Sequence, residues 1–270
     1  MIYGKVRAIE LVVKRISLLN WVPTPKSVLI KRNGMLFSLP MILDYIVLVK
    51  SDWEQKERDF VSNLNLNNMK DLVIVDLGAY VGSYTALFSQ LYPAAKIIAI
   101  EGSPSIFKIL KKTCILNKME NVTLINKVIM NEDGSEVELY EKHSMSTFLK
   151  EYLTVLLPGS EIEELQKEVV QTLTIDNLVG TMNIEEISLL KMDIEGAEVL
   201  AFEGAMKTLS RKMITNMLIE YHSVENYDYI IRLLEQFGYG YTLDSRYEIS
   251  TDVKYVNGHI MATMKENTSH

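Results

Sequence analysis

From residue 71 onward the chain repeats one pattern: a short apolar run, then a stretch with helical spacing. The runs fall at residues 72–75, 97–100, 122–125, 187–192 and 217–219. A strand with one wet face alternates apolar and polar residues, whereas a continuous run belongs to a strand covered on both faces. Between the runs, Ser103 and Pro104 supply an N-cap and a first-turn proline, and Phe107, Leu110 and Cys114 follow at helical spacing. Val199, Phe202, Met206 and Leu209 repeat that spacing after Gly196. Such alternation builds right-handed crossovers and a mainly parallel sheet, so the expected fold class is α/β.

The first fifty residues read differently. Val6, Ile9, Val13 and Ile16 form an apolar stripe with Arg7, Glu10 and Lys14 opposite, which predicts an amphipathic helix over the first twenty residues. That helix would lie on the rest of the fold, or offer a docking face to a membrane surface or a partner. Residues 28–39 predict a hairpin turning at Asn33-Gly34, a dipeptide that tolerates the positive φ of a tight turn. A helix is expected over 52–64. The chain thus divides into a 1–50 extension and a 51–270 main domain. Within the latter, 131–134 predicts a turn, 136–140 a short strand, and 161–168 an acidic helix. Residues 141–171 are read as an insertion able to cover a site.

Composition narrows the partners. With 35 acidic against 28 basic residues the net charge is −7, which opposes a nucleic-acid footprint. The longest basic cluster, Lys108, Lys111, Lys112 and Lys118, reads as the solvated side of one helix. The single cysteine, Cys114, allows no intrachain disulfide and no cysteine-rich zinc site. No apolar stretch reaches the roughly 18 residues that span a bilayer. The nearest candidate, 8–22, is broken by Lys14 and Arg15 and lacks the features of a signal peptide. A cytoplasmic location is expected, while oligomeric state is not readable.

Chemistry-bearing residues gather where the runs end. The first run leads into Asp76-Leu77-Gly78-Ala79-Tyr80-Val81-Gly82, with a helix expected from about Ser83 to Leu91. An acid, then glycines, then a helix is a nucleotide-type loop, in which glycine lets the backbone approach a ligand closely. A dinucleotide loop counted from Gly78 needs glycine where Tyr80 and Ser83 stand. The acid before the loop would repel phosphate but suits an ammonium or sulfonium group. The second run ends in Glu101-Gly102-Ser103-Pro104. A carboxylate there can accept both hydroxyls of a ribose, and Gly102 leaves room for a base ring. Together these features point to a nucleoside cofactor.

The fourth run opens into Lys191-Met192-Asp193-Ile194-Glu195-Gly196-Ala197-Glu198, and the fifth into Glu220-Tyr221-His222. Ligands of open parallel sheets bind beyond the carboxyl ends of the strands, so Asp193 would overlook the site. Glu195 and Glu198 could instead serve as helix N-terminal charges. His222 has the ordinary pKa range for proton abstraction near neutrality. His143, His259 and His270 lack comparable context.

This set of motifs resembles the FkbM-type S-adenosylmethionine-dependent methyltransferases over residues 50–265. The Lys-x-Asp-x-Glu-Gly-Ala-Glu block (191–198) is its most specific element. Glu101-Gly102-Ser103-Pro104 departs from the family's more usual Glu-Pro, and Tyr80 stands where many members have asparagine. The resemblance implies a Rossmann-like, seven-stranded class I methyltransferase fold with helices on both faces and the last strand antiparallel near 258–264. It also implies O-methylation of a small-molecule or sugar hydroxyl. On that reading Gly78, Ala79, Tyr80 and Gly82 frame the methionine end of the donor and Asp76 orients it. Glu101, with Gly102 and Ser103, holds the ribose, and Val128 borders the adenine. His222 or Asp193 would act as base, or Asp193, Glu220 and His222 would bind a magnesium-like ion. A nicotinamide oxidoreductase and a non-catalytic, nucleoside- or partner-binding member are the rival readings.

Overall fold

The computed structural model describes residues 27–40, 55–64, 66, 69–142, 145–147, 165–244 and 255–265. The expected helix of the first twenty residues lies outside them. The hairpin forms as β1 (Ser27–Arg32) and β2 (Met35–Pro40), turning at Asn33-Gly34 with φ of 48° and 86°. Helix α1 covers Gln55–Asn63.

A seven-stranded sheet is the centre of the molecule. Its strands are β3 (Val73–Leu77), β4 (Lys96–Ile100), β5 (Val122–Ile125), β10 (Leu189–Met192), β11 (Asn216–Ser223), β12 (Tyr239–Asp244) and β13 (Tyr255–Met264). They lie in the order β12-β13-β11-β10-β3-β4-β5, and β13 alone runs against the rest. Between strands come α2 (Ser83–Leu91), α3 (Pro104–Leu116), α4 (Ile175–Thr181), α5 (Glu198–Glu203), α6 (Met206–Ser210) and α7 (Val224–Phe237). Val73, Val75 and Leu77 pack with α4 to α7 on one face, and Ile74 packs toward α1 and α2 on the other. Both faces are buried, which is why β3 is apolar almost throughout. Asp76 is the exception, and it lies on the α2 side, where Thr85 meets it.

The hairpin is built into this body. Ile30, Phe37 and Leu39 share a core cluster with Val81, Leu110 and Cys114. Asn117, which caps α3 at its C-terminal end, accepts from the Leu36 N–H (2.7 Å) and donates to the Leu36 carbonyl (2.7 Å). Alanine at 117 strands both backbone groups. Asn117→Ala is expected to lower unfolding free energy by about 2 kcal/mol. In urea denaturation the midpoint falls and the slope stays the same; an unchanged midpoint would show that the hairpin is held by its apolar side chains alone.

Several expected elements differ. The single helix predicted over 199–209 is two, α5 and α6, broken at Gly204, where a Cβ would lie 2.2 Å from the Met130 carbonyl oxygen. Residues 166–168, predicted as the end of an acidic helix, open strand β9 (Gln166–Leu173) instead; 161–164 lie outside the described residues. Strand β9 pairs with β6 (Val128–Ile129) and β7 (Glu136–Lys142), and with β8 (Met145–Thr147) these make a four-stranded sheet. The end of the stretch read as an insertion is therefore sheet, with Val170 buried against Val128 and Leu139. Val169, Val170 and Thr172 are β-branched, a strand signal that the acidic content of 161–168 outweighed. Lysines 108, 111, 112 and 118 are exposed, as expected.

Candidate active site

The carboxyl ends of β3, β4, β10 and β11 meet along one edge, and nearly every residue singled out lies there. The loop after β3 is fastened to β4: the Gly78 and Ala79 N–H groups both donate to the Ile100 carbonyl, at 3.0 and 2.9 Å. The Tyr80 N–H donates to Glu101 Oε2 (2.9 Å), and the Ser103 N–H donates to Oε1 (2.8 Å). Glu101 is thus clasped by one amide from each loop, with a further lone pair on each oxygen. Burial raises its carboxyl to about 7, against the opposing pull of those two amides. Ser103 also caps α3, its hydroxyl accepting from the Ile106 N–H.

The glycines do something other than expected. A Cβ on Gly78 would fall 1.7 Å from the Asp193 carbonyl oxygen, and one on Gly82 would fall 2.9 Å from Leu110 Cδ1. Gly78 lets two backbone segments approach each other, whereas Gly82 holds a left-handed φ of 93° beside a side chain. A Cβ added to Gly102 would lie 3.1 Å from Val128 Cγ2. Val128 lies beyond the end of β5; it begins β6 and is buried. Tyr80 holds a left-handed φ of 53°, a conformation more favourable for asparagine than tyrosine.

Asp76 has no exposed surface, so it reaches a ligand only through neighbours. It accepts from Thr85 (2.6 Å) and lies 3.6 Å from Lys191 Nζ; burial raises its carboxyl. Lys191 stands directly across from it in the β3–β10 register. Its ammonium donates to the Gly78 carbonyl (2.9 Å) and sits 3.5 Å from Asp193 Oδ2. Lys191 therefore ties the loop after β3 to the acid after β10, a role its place in an apolar run did not reveal.

Asp193 and Glu195 face the opening, their side chains 33% and 35% exposed, while His222 behind them is 3% exposed. The β11–β13 ladder shifts between Tyr221 and Ser223, an irregularity of the sort that re-aims side chains beside sites. His222 Nε2 lies 3.7 Å from Asp193, 3.9 Å from Glu195 and 3.9 Å from Glu220. Its Nδ1 meets Glu198 at 2.9 Å. Glu198 is fully buried, and it accepts also from Asn226 and from the Gly196 N–H. It is thus the partner that orients the histidine, beyond being a charge at a helix start.

The acids change what His222 can do. Burial opposes its charge, but Glu198, Glu195 and Glu220 override that and hold the ring's pKa well above the ordinary value. Those acids favour the protonated ring, so a base or ligand role for Nε2 requires that proton to leave first. Burial and the surrounding acids raise the Glu195 carboxyl to about 7. Asp193 is held below the ordinary range, because Lys191 and His222 outweigh its burial.

A second histidine joins the cluster. His259, on β13, lies across from Glu220 in register and 3.3 Å from it, with Glu57 of α1 at 3.0 Å from its other nitrogen. Glu220 and Glu57 raise His259 to about 10 despite its burial. Asn257 donates to Glu220 (3.0 Å), so Glu220 is committed to β13 more than to the opening. The group with metal-ligand spacing is accordingly Asp193, Glu195 and His222, whose ligand atoms all lie within 4.8 Å of one another, rather than Asp193, Glu220 and His222. Polar residues at the alternate positions 257 and 259 of a strand covered on both faces were the available signal.

The family model described as "Methyltransferase FkbM domain" matches residues 76–241. Among curated proteins, Methyltransferase 1 of Beauveria bassiana is 24% identical over 161 residues, covering 56% of this chain and 64% of that protein. The match thus spans less than two thirds of that relative. Among solved structures, M. jannaschii TYW2 in complex with AdoMet is 15% identical at a TM-score of 0.46, covering 90% of this chain and 89% of that one. Precorrin-6y C5,15-methyltransferase from Geobacter metallireducens is 14% identical at 0.46, covering 80% and 91%. No helix among the described residues is long and apolar enough to cross a membrane.

Proposed function

The chain belongs to the methyltransferase FkbM domain family, and from that premise we propose that it transfers a methyl group from S-adenosylmethionine to a hydroxyl of a small molecule or carbohydrate met in the cytoplasm. The observation that carries the hydroxyl is the pair Asp193 and Glu195, both turned toward solvent beside the donor loop. Glu101 takes the ribose hydroxyls on its remaining lone pairs. The loop at Gly78, Ala79, Tyr80 and Gly82 lies along the methionine end. Lys191, braced by Asp76, sets the distance between that loop and Asp193.

In the step, the acceptor oxygen bonds to the methyl carbon as the carbon–sulfur bond breaks. The bond's electrons return to sulfur, leaving neutral S-adenosylhomocysteine. The hydroxyl proton passes through the carboxylate cluster to solvent. Much of the rate comes from holding oxygen, carbon and sulfur in line. A nicotinamide cofactor fits poorly, since Tyr80 and Ser83 occupy places where a phosphate loop needs glycine.

Incubating the full chain with methyl-labelled S-adenosylmethionine and pools of sugars, hydroxylated metabolites and amines tests this. Label is expected in a base-stable methyl ether. Label in an amine or ester, or NADH binding without S-adenosylhomocysteine binding, would overturn the reading.

A further inference from the structure

We propose that Asp193, Glu195 and His222 form a site for a divalent cation of the oxygen-favouring class, Mn2+ or Mg2+, whose open positions receive the acceptor's oxygens; this rests on the hydroxyl-methylation reading above. The three residues come from a loop and a strand far apart in sequence, yet their ligand atoms converge within 4.8 Å. The separations are informative. Nε2 of His222 stands 3.7 Å from Asp193 Oδ1 and 3.9 Å from Glu195 Oε2, too far for hydrogen bonds. Ligands held about 2.0–2.2 Å from a common cation lie roughly 3–4 Å from one another, the range in which both separations from the His222 nitrogen fall.

The other ring nitrogen supplies a second observation. A metal-ligating histidine almost always engages a carboxylate through its other nitrogen, which fixes the ring's orientation. Here Nδ1 engages Glu198 at 2.9 Å, and Glu198 is itself held by Asn226 and the Gly196 N–H. The ring is buried and fixed, while the two carboxylates are each about a third exposed. Solvent-side positions are therefore open to water or an acceptor. Two carboxylates and one imidazole suit Mn2+ or Mg2+ better than a thiol-seeking metal. A cation there would lower the pKa of a coordinated hydroxyl, the help a weakly acidic alcohol needs.

Charge favours occupancy too. Asp193, Glu195, Glu198 and Glu220 surround His222, and Lys191 and His259 are the nearby cations drawn into the same cluster.

Chelator-treated full-length protein is titrated with Mn2+, and free Mn2+ is followed by electron paramagnetic resonance. One ion per chain is expected, displaced by excess Mg2+. Asp193→Asn and His222→Ala should each weaken binding at least about tenfold, and Glu198→Gln should weaken it about tenfold through the ring it orients. Glu195→Gln, at a partly exposed loop position, keeps the test sound if a buried variant fails to fold. Glu203→Gln, on the exposed side of α5, should leave binding unchanged. Calorimetry with S-adenosylhomocysteine on the same sample separates the two readings. Donor binding without Mn2+ uptake, or uptake indifferent to Asp193, Glu195 and His222, overturns the cation site alone. Loss of donor binding overturns the methyltransferase reading itself.

Discussion

Gly78→Ala is expected to destabilise the protein by more than about 4 kcal/mol. Two effects combine. At φ +71° an added Cβ meets the left-handed penalty of about 1–2 kcal/mol. The same Cβ would also fall 1.7 Å from the Asp193 carbonyl oxygen, which is backbone and cannot rotate aside. Moving it means separating β3 from the loop after β10, where the Asp193 N–H donates to the Leu77 carbonyl at 3.1 Å. Gly134→Ala is the control: it has φ +75° and no atom within 4 Å of the added carbon. It bears the backbone penalty alone, so about 1 kcal/mol is expected. Urea denaturation of both variants measures the difference. Equal losses would mean that the loops yield to each other, and the tight seam between the loop after β3 and Asp193 would not be a fixed feature of the site.

That seam explains what the sequence could and could not reveal. Strands buried on both faces must be apolar on both faces, so the five runs were visible, and Ser103-Pro104 marked the start of α3. Asp76, Glu101, Asp193 and His222 were singled out because each follows or ends such a run at the carboxyl edge of the sheet. What stayed hidden depends on contacts between segments far apart in the chain. Gly78 and Lys191 are 113 residues apart, and no local pattern shows that they touch. His259 matters because β13 inserts antiparallel between β11 and β12, which puts it across from Glu220. Glu198 read as a helix-start charge because the dipole rule accounts for it locally; its burial against His222 is a tertiary fact. The direction of the His222 pKa shift was hidden for the same reason, since two of the acids that raise it, Glu195 and Glu198, follow another strand.

Glu101 and Asp193 should fail in opposite ways. Asp193→Asn keeps the size of the side chain, and Lys191 retains Asp76 and the Gly78 carbonyl, so the donor loop stays in place. Turnover is expected to fall about 10²–10⁴-fold, the usual range for losing a group that manages a proton in the transition state. Affinity for S-adenosylhomocysteine should change less than about threefold. Glu101→Ala removes the acceptor proposed for two ribose hydroxyls. Hydrogen bonds to a charged group contribute about 1.5–3 kcal/mol each, so affinity should fall about 10²-fold or more. Acidity gives an independent check. The ionised form of Glu101 accepts from the ribose, and burial puts its carboxyl at about 7. Wild-type affinity should therefore weaken as pH falls through 7, and Glu101→Gln should flatten that dependence. Calorimetry from pH 6 to pH 8 with steady-state kinetics resolves both arms. An Asp193→Asn enzyme with full turnover would remove the acid from the chemistry. A Glu101→Ala enzyme that still binds tightly would move the nucleoside away from the β3–β4 edge.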